Sequence, residues 1–211
     1  MLINDVDLLR LDPSLFTAAA SLATVLASGS DGAVAATALS SASSDFATLS
    51  IDDGHVIVIA GTPCEVTQRT SATGLDVALP RSSDAGTAVG PGDGSALAFS
   101  VLSFERQIAQ QEMWVLGALG IDADHPGTPL DETAIIDTEP VRSMIAHRVL
   151  ASVYEAASAG DTADASLAQR AVLARRNATD AMSRTVAWLD IDGDGVPDAT
   201  RRIDVVIFAR A

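Results

Sequence analysis

The periodicity of the chain changes once, near residue 104, and that change constrains the fold more than any single motif does. Before it, short β-branched runs are separated by turn residues; after it, apolar side chains recur every three or four positions. The expected class is therefore α+β: a helical core of about four to five helices, an inserted small β-rich barrel or sandwich, and a C-terminal β-strand arm. Residues 1–16 form the N-terminal helical part of the core, 17–103 the β-rich insertion, 104–189 the rest of the helical core, and 190–211 an Asp/Gly turn with the arm.

Local signals fill in this outline. Asp5 or Asp7 is placed to cap a helix over Val6–Leu11, and Asp12-Pro13 reads as an N-cap followed by proline at the first helical position. Thr24–Ser28 and Ala33–Leu39 flank Gly29-Ser30-Asp31-Gly32, a hairpin pattern. His55–Ile59, Cys64–Arg69, Leu75–Leu79 and Leu97–Leu102 supply further strands, and 82–95 is a loop rich in Gly, Ser and Asp. Ser103 is placed to cap a helix stopped by Gly120, Thr128-Pro129 to open a short helix through Ile136, and Thr138 with Pro140 to start one ending at Gly160. The longest helix is expected from about Asp164 to Leu189, its apolar seam made of Leu167, Ala171, Ala174, Ala178, Met182, Val186 and Leu189. Trp114 and Trp188 are expected to pack between helices.

Charge removes several classes of function. All 13 basic residues are Arg, against 28 Asp and Glu, so the net charge is −15. Without lysine there is no P-loop cation, Schiff base or lysine general base. The negative field opposes wrapping of nucleic acid and binding to an anionic membrane surface. Cys64 is the single cysteine, so no internal disulfide forms, and its β-branched setting suggests a buried structural thiol. The acidity fits a protein kept soluble in concentrated salt, and equally a GC-rich genome that avoids Lys codons. Residues 13–30 are uncharged, but the preceding segment carries Asp5, Asp7 and Asp12 with only Arg10, unlike a signal peptide, so this part is read as soluble structure.

The sharpest chemical motif is Asp190-Ile-Asp192-Gly-Asp194-Gly195-Val196-Pro-Asp198. Carboxylates at positions 1, 3, 5 and 9, with the Val196 carbonyl at 7, are the frame that surrounds a hard cation such as calcium, and Gly195 permits the sharp turn. Position 12 is Arg201 where an EF-hand carries a bidentate Glu, so the loop is not a complete EF-hand. The expectation is no cofactor beyond one structural Ca2+ or other hard cation; the plain alternative is an Asp/Gly turn that ends a helix and enters a strand. His55, His125 and His147 fall in separate elements with no metal-site spacing, and no nucleophile elbow is present. No motif argues for an enzyme.

The order of textures carries a resemblance. A short helical start leads to GHVIVIAGTPCEVT (54–67) and SATGLDVAL (71–79), then amphipathic helices, then WLDIDGDGVPDATRRIDVVIF (188–208). This arrangement resembles the head–tail connector proteins (adaptor, or head-completion proteins) of long-tailed viruses of bacteria and archaea, here with the composition of a halophilic host. The resemblance implies a non-enzymatic virion protein assembled in the host cytoplasm. It would form a ring of copies of itself, most often twelve, at the neck of the particle. Its partners would be the portal protein and a tail-side neck protein or tail terminator; DNA would pass through the channel without specific binding, and no membrane is involved. Ile203, Val205, Val206, Ile207 and Phe208 lie in the terminal β-branched run that would add a strand to the portal. A calcium-stabilised extracellular or surface module is the alternative reading; it needs a secretion route that the first residues do not provide.

Overall fold

A computed structural model describes residues 1–121, 130–159 and 165–203. The chain is α+β, with five α-helices, a closed six-stranded barrel and a separate two-stranded sheet among the described residues. It divides into two compact units, one of residues 4–105 and the other of 1–3 with 106–211. The two N-terminal helices thus belong with the barrel, not with the later helices as expected for residues 1–16.

In the barrel unit, α1 (Asp5–Leu11) and α2 (Leu15–Ala18) precede β1 (Thr24–Ala35), β2 (Ala38–Ser40), β3 (Val56–Ile59), β4 (Thr62–Ser71), β5 (Gly74–Ala78) and β6 (Gly94–Ser103). The strands close in the order β1-β2-β5-β4-β3-β6, every neighbouring pair antiparallel. Closure leaves no free sheet edge. The interior is filled by Val34, Leu39, Ile57, Ile59, Cys64, Val66, Leu75, Val77, Phe99 and Val101, with Phe46 and Ile51 from the segment after β2 completing it. Phe46 meets Phe99 edge-on at 6.1 Å between ring centres. α1 packs on β3 and β4, so Val56 is buried beside Ile57, and β3 reads as an unbroken apolar run. Phe16 of α2 stands edge-on to Phe104, 5.3 Å apart.

Two local expectations are corrected here. Asn4, not Asp5 or Asp7, caps α1: its side chain accepts from the Asp7 amide while the Asp7 carboxylate accepts from the Asn4 amide. Asp5 is instead buried inside the helix. The segment 29–32 is not a hairpin turn but a bulge within β1: Gly29 pairs with Phe99 and Gly32 with Leu97 of β6, and the register shifts between them. A Cβ on Gly29 would lie 2.7 Å from the Phe99 ring, and one on Gly32 would lie 2.9 Å from the Leu97 carbonyl. The glycines serve close packing, not chain reversal. Reversal occurs at Ala36-Thr37, where Ala36 adopts φ 53° and its amide donates to the Asp93 carboxylate at 2.7 Å.

The helical unit contains α3 (Glu105–Ala118, whose first residue the division assigns to the barrel), α4 (Glu139–Ser158), α5 (Ala165–Arg184), β7 (Ala187–Leu189) and β8 (Ala199–Arg201). The Ser103 hydroxyl accepts from the Glu105 amide at the start of α3. At its other end the Ile121 amide reaches Leu116 and the Gly120 amide reaches Gly117, both at 2.9 Å, with Gly120 at φ +67°. That is a Schellman cap, as the glycine signalled. Val141, Ile145, Val149 and Val153 are buried along α4. Ala171, Ala174 and Ala178 are the buried positions of α5 and lie against α4, their small side chains permitting close approach.

α5 ends at Arg184, five residues before the expected Leu189. The Thr185 hydroxyl turns back to the Ala181 carbonyl at 2.8 Å, and Ala187–Leu189 pairs with Ala199–Arg201 as a hairpin. Leu189 is buried there as a strand residue, bridged to Ile135, and does not extend the helical seam. The short helix expected through Ile136 is, over its described part, a 3-10 turn at Glu132–Ala134 capped by Asp131; Thr128-Pro129, His125 and Gly160 lie outside the described residues. Trp188 lies on β7, 46% exposed, and is not a helix-packing residue; Trp114 on α3 is 45% exposed, with the rest of its surface covered in part by Arg148 of α4.

Candidate functional site

The Asp/Gly loop closes the β7–β8 hairpin. Gly193 and Gly195 sit at φ +80° and +83°, the left-handed region that glycine enters without penalty, so the backbone can fold its amides inward. Those amides point at the carboxylates. Asp190 accepts from Gly193 and Gly195, each at 2.7 Å, and these bonds, Gly195 first, hold its carboxyl below the usual range. Asp192 accepts from the Asp194 amide at 3.2 Å and Asp194 from the Val196 amide at 2.8 Å. Asp198 accepts from the Ile191 and Asp192 amides at 2.7 and 3.2 Å.

Of the five expected metal ligands, three converge. One oxygen each from Asp190, Asp192 and Asp194 lie within 4.8 Å of one another. Asp198 braces the start of the loop through one oxygen, and Val196 is exposed. A carboxylate offers about four lone-pair sites, so Asp192 and Asp194, each bound through one oxygen, retain acceptors suited to a hard cation. The twelfth position is committed elsewhere: the Arg201 guanidinium donates to the Leu119 carbonyl at the end of α3. A Cβ on Gly120 would collide with that guanidinium, so this glycine serves the turn and the arginine together.

Of the expected portal arm, Ile203 is half-buried, and Val205, Val206, Ile207 and Phe208 lie outside the described residues. His147 sits in α4 with Nδ1 2.7 Å from the Ser143 carbonyl, and His55 precedes β3 with Nδ1 3.0 Å from the Asp52 carbonyl. Cys64 is fully buried, and burial pushes its thiol up to about 12, so it is no nucleophile.

Sequence reasoning missed three polar features. Glu65 on β4, 1% exposed, is held by Arg10 from α1 and Arg81 from the segment after β5. Burial raises this carboxyl, but the hydrogen bonds from Arg10 and Arg81 outweigh that and leave it lowered. Arg10 also reaches Asp84 at 2.7 Å. Nothing in the local spacing joins residues 10, 65 and 81; only the barrel does. Asp5, buried on α1, accepts from the Phe104 amide at 2.7 Å, and burial pushes its carboxyl up to about 6. The Arg148 guanidinium lies 3.6 Å over the Trp114 ring, which explains how that exposed indole is ordered.

No family model, curated protein or solved structure matches this chain.

Proposed function

We propose that this chain is a structural virion protein that forms a ring at the neck, joining the capsid portal to the tail and leaving a channel for DNA. The observation that carries the reading is a set of exposed apolar side chains on its helical unit. Met113, Val172 and Leu173 are 75%, 72% and 58% exposed on α3 and α5, a cost that self-association would offset. A β-rich unit followed by this helical unit and an Asp/Gly hairpin follows the order on which the connector resemblance rests. The copies form a closed ring of about twelve, as the resemblance implies for a head-to-tail contact that closes. One face meets the portal through residues 203–211, the other a tail-side protein. The acidic surface keeps DNA from adhering to the channel and suits a halophilic host.

Among the described residues no helix is long and apolar enough to cross a membrane. A second reading, a calcium-stabilised surface module, draws on the convergence of Asp190, Asp192 and Asp194. Co-sedimentation with a portal ring in molar salt, with and without calcium, separates the two. Stoichiometric binding supports the connector. Absence of binding in both conditions refutes it and favours the surface module.

A further inference from the structure

The outer face of α5 combines features that a solitary subunit does not need. Val172 and Leu173 are exposed there, while the buried alanines face α4. Leu173, Asn177, Asp180 and Arg184 follow one another at spacings of four, three and four, so they share one side of the helix. Beside them, Asn177, Asp180 and Arg184 join Pro140, Ser143 and His147 of α4 around an open groove of about 370 Å3. Arg175 is paired with Glu155 at 2.8 Å, but Arg176 and Arg184 meet no carboxylate among the described residues.

Unpaired arginines are unexpected in a chain with 28 acids and 13 arginines. The distribution of charge explains them. Residues 165–184 hold four Arg and one Asp, a net of +3, whereas residues 4–105 hold 3 Arg and 12 acids, a net of −9. Two copies repel overall, so association is favoured where patches of opposite sign meet, and these two segments are opposite in sign. The barrel unit also has a shallow depression of about 410 Å3, lined by small residues (Gly29, Ser30, Gly61 and Ala98) with Val58 and Phe99. It offers apolar surface to side chains of the size of Val172 and Leu173.

We infer that the outer face of α5, with Leu173, Arg176 and Arg184 at its centre, docks on the acidic barrel unit of a second copy of this chain. Because helix meets barrel, the contact is heterologous: each copy keeps one free helix face and one free barrel face, and repetition gives a ring or a filament. The inference rests on the self-assembly part of the proposed ring and names the surfaces that build it.

Sedimentation velocity on the full chain tests it. Wild type is expected to run as multiples of 21.6 kDa and the double variant Arg176→Glu/Arg184→Glu as the 21.6 kDa monomer, with an unchanged circular dichroism spectrum. Leu173→Asp, which keeps both arginines, is expected to weaken assembly at least tenfold. The double variant retains its barrel, so in excess it should cap wild-type assemblies and shorten them. Wild type that stays monomeric overturns this inference and the ring together. Assemblies that persist in the double variant overturn the inference and leave the ring standing. Retardation of duplex DNA by wild type but not by the double variant would give the face to nucleic acid and overturn it as well.

Discussion

Asp5 gives the barrel unit a pH dependence opposite to that of an ordinary salt-bridged acid. Its carboxyl is buried on α1, with the Phe104 amide donating to it at 2.7 Å. Burial raises it from 3.8 to about 6, outweighing that hydrogen bond, the one with Ser103 and the charge of His55, while Glu105 adds a smaller push upward. A carboxyl raised on folding favours the folded state when protonated. The stabilisation is complete below about pH 3.8 and is lost as pH rises through 6. The full shift, about 2 units, corresponds to about 3 kcal/mol, of which about 1.4 falls between pH 5 and pH 8, a tenfold change in the opening equilibrium. Asp31, Asp45 and Asp52 are lowered, so they act at more acid pH. Cys64, buried in the barrel and the single cysteine, is the reporter, because a thiol reagent reaches it only when the barrel opens. Labelling of wild type relative to Asp5→Asn at the same pH cancels the intrinsic chemistry of the thiol. The ratio should rise about tenfold from pH 5 to pH 8. A ratio that stays constant, or falls, refutes the argument that burial dominates at Asp5.

Other perturbations have outcomes as definite. Glu65→Ala leaves Arg10 and Arg81, whose side chains are 17% and 14% exposed, without their shared carboxylate; urea unfolding should show a loss of about 3–5 kcal/mol. Gly120→Ala strains a left-handed residue and drives a Cβ into the Arg201 guanidinium, whereas Gly61→Ala, at φ +84° with nothing within 4 Å, meets strain alone. Thermal unfolding should therefore rank Gly120→Ala as the costlier change, with Gly61→Ala near 1 kcal/mol. Asp190→Ala removes acceptors for two loop amides and should loosen the hairpin with or without calcium. The fluorescence of Trp188, two residues before the loop, reads that loosening directly.

Periodicity made the strands and helices legible because each element buries one face. Val141, Ile145, Val149 and Val153 announce α4, and the β-branched run before Ala60 announces β3. What stayed hidden depends on neighbours distant in sequence. The segment Gly29–Gly32 has turn chemistry, yet Phe99 and Leu97 across the barrel use its missing side chains. Val186 and Leu189 continue the spacing of α5, but strand pairing with Ala199–Arg201 and a bridge to Ile135 take that segment out of the helix. At the candidate cation loop, residue types and spacing pointed to five ligands. The backbone places three of them together and turns the Asp198 carboxylate to the Ile191 and Asp192 amides.

The bond from Arg201 to the Leu119 carbonyl spans 82 residues, and this sets an order of events. During synthesis the barrel segment 4–105 is complete while the ribosome is still making the helical unit, so it can mature alone. The turn after α3 is completed later: the Leu119 carbonyl waits for a cation that arrives only after α4, α5 and the Asp/Gly hairpin have emerged. Docking of that arginine is therefore a late event, and a chain stalled before residue 201 would carry a finished barrel and an α3 closed by its glycine cap, with the Leu119 carbonyl still lacking its arginine donor.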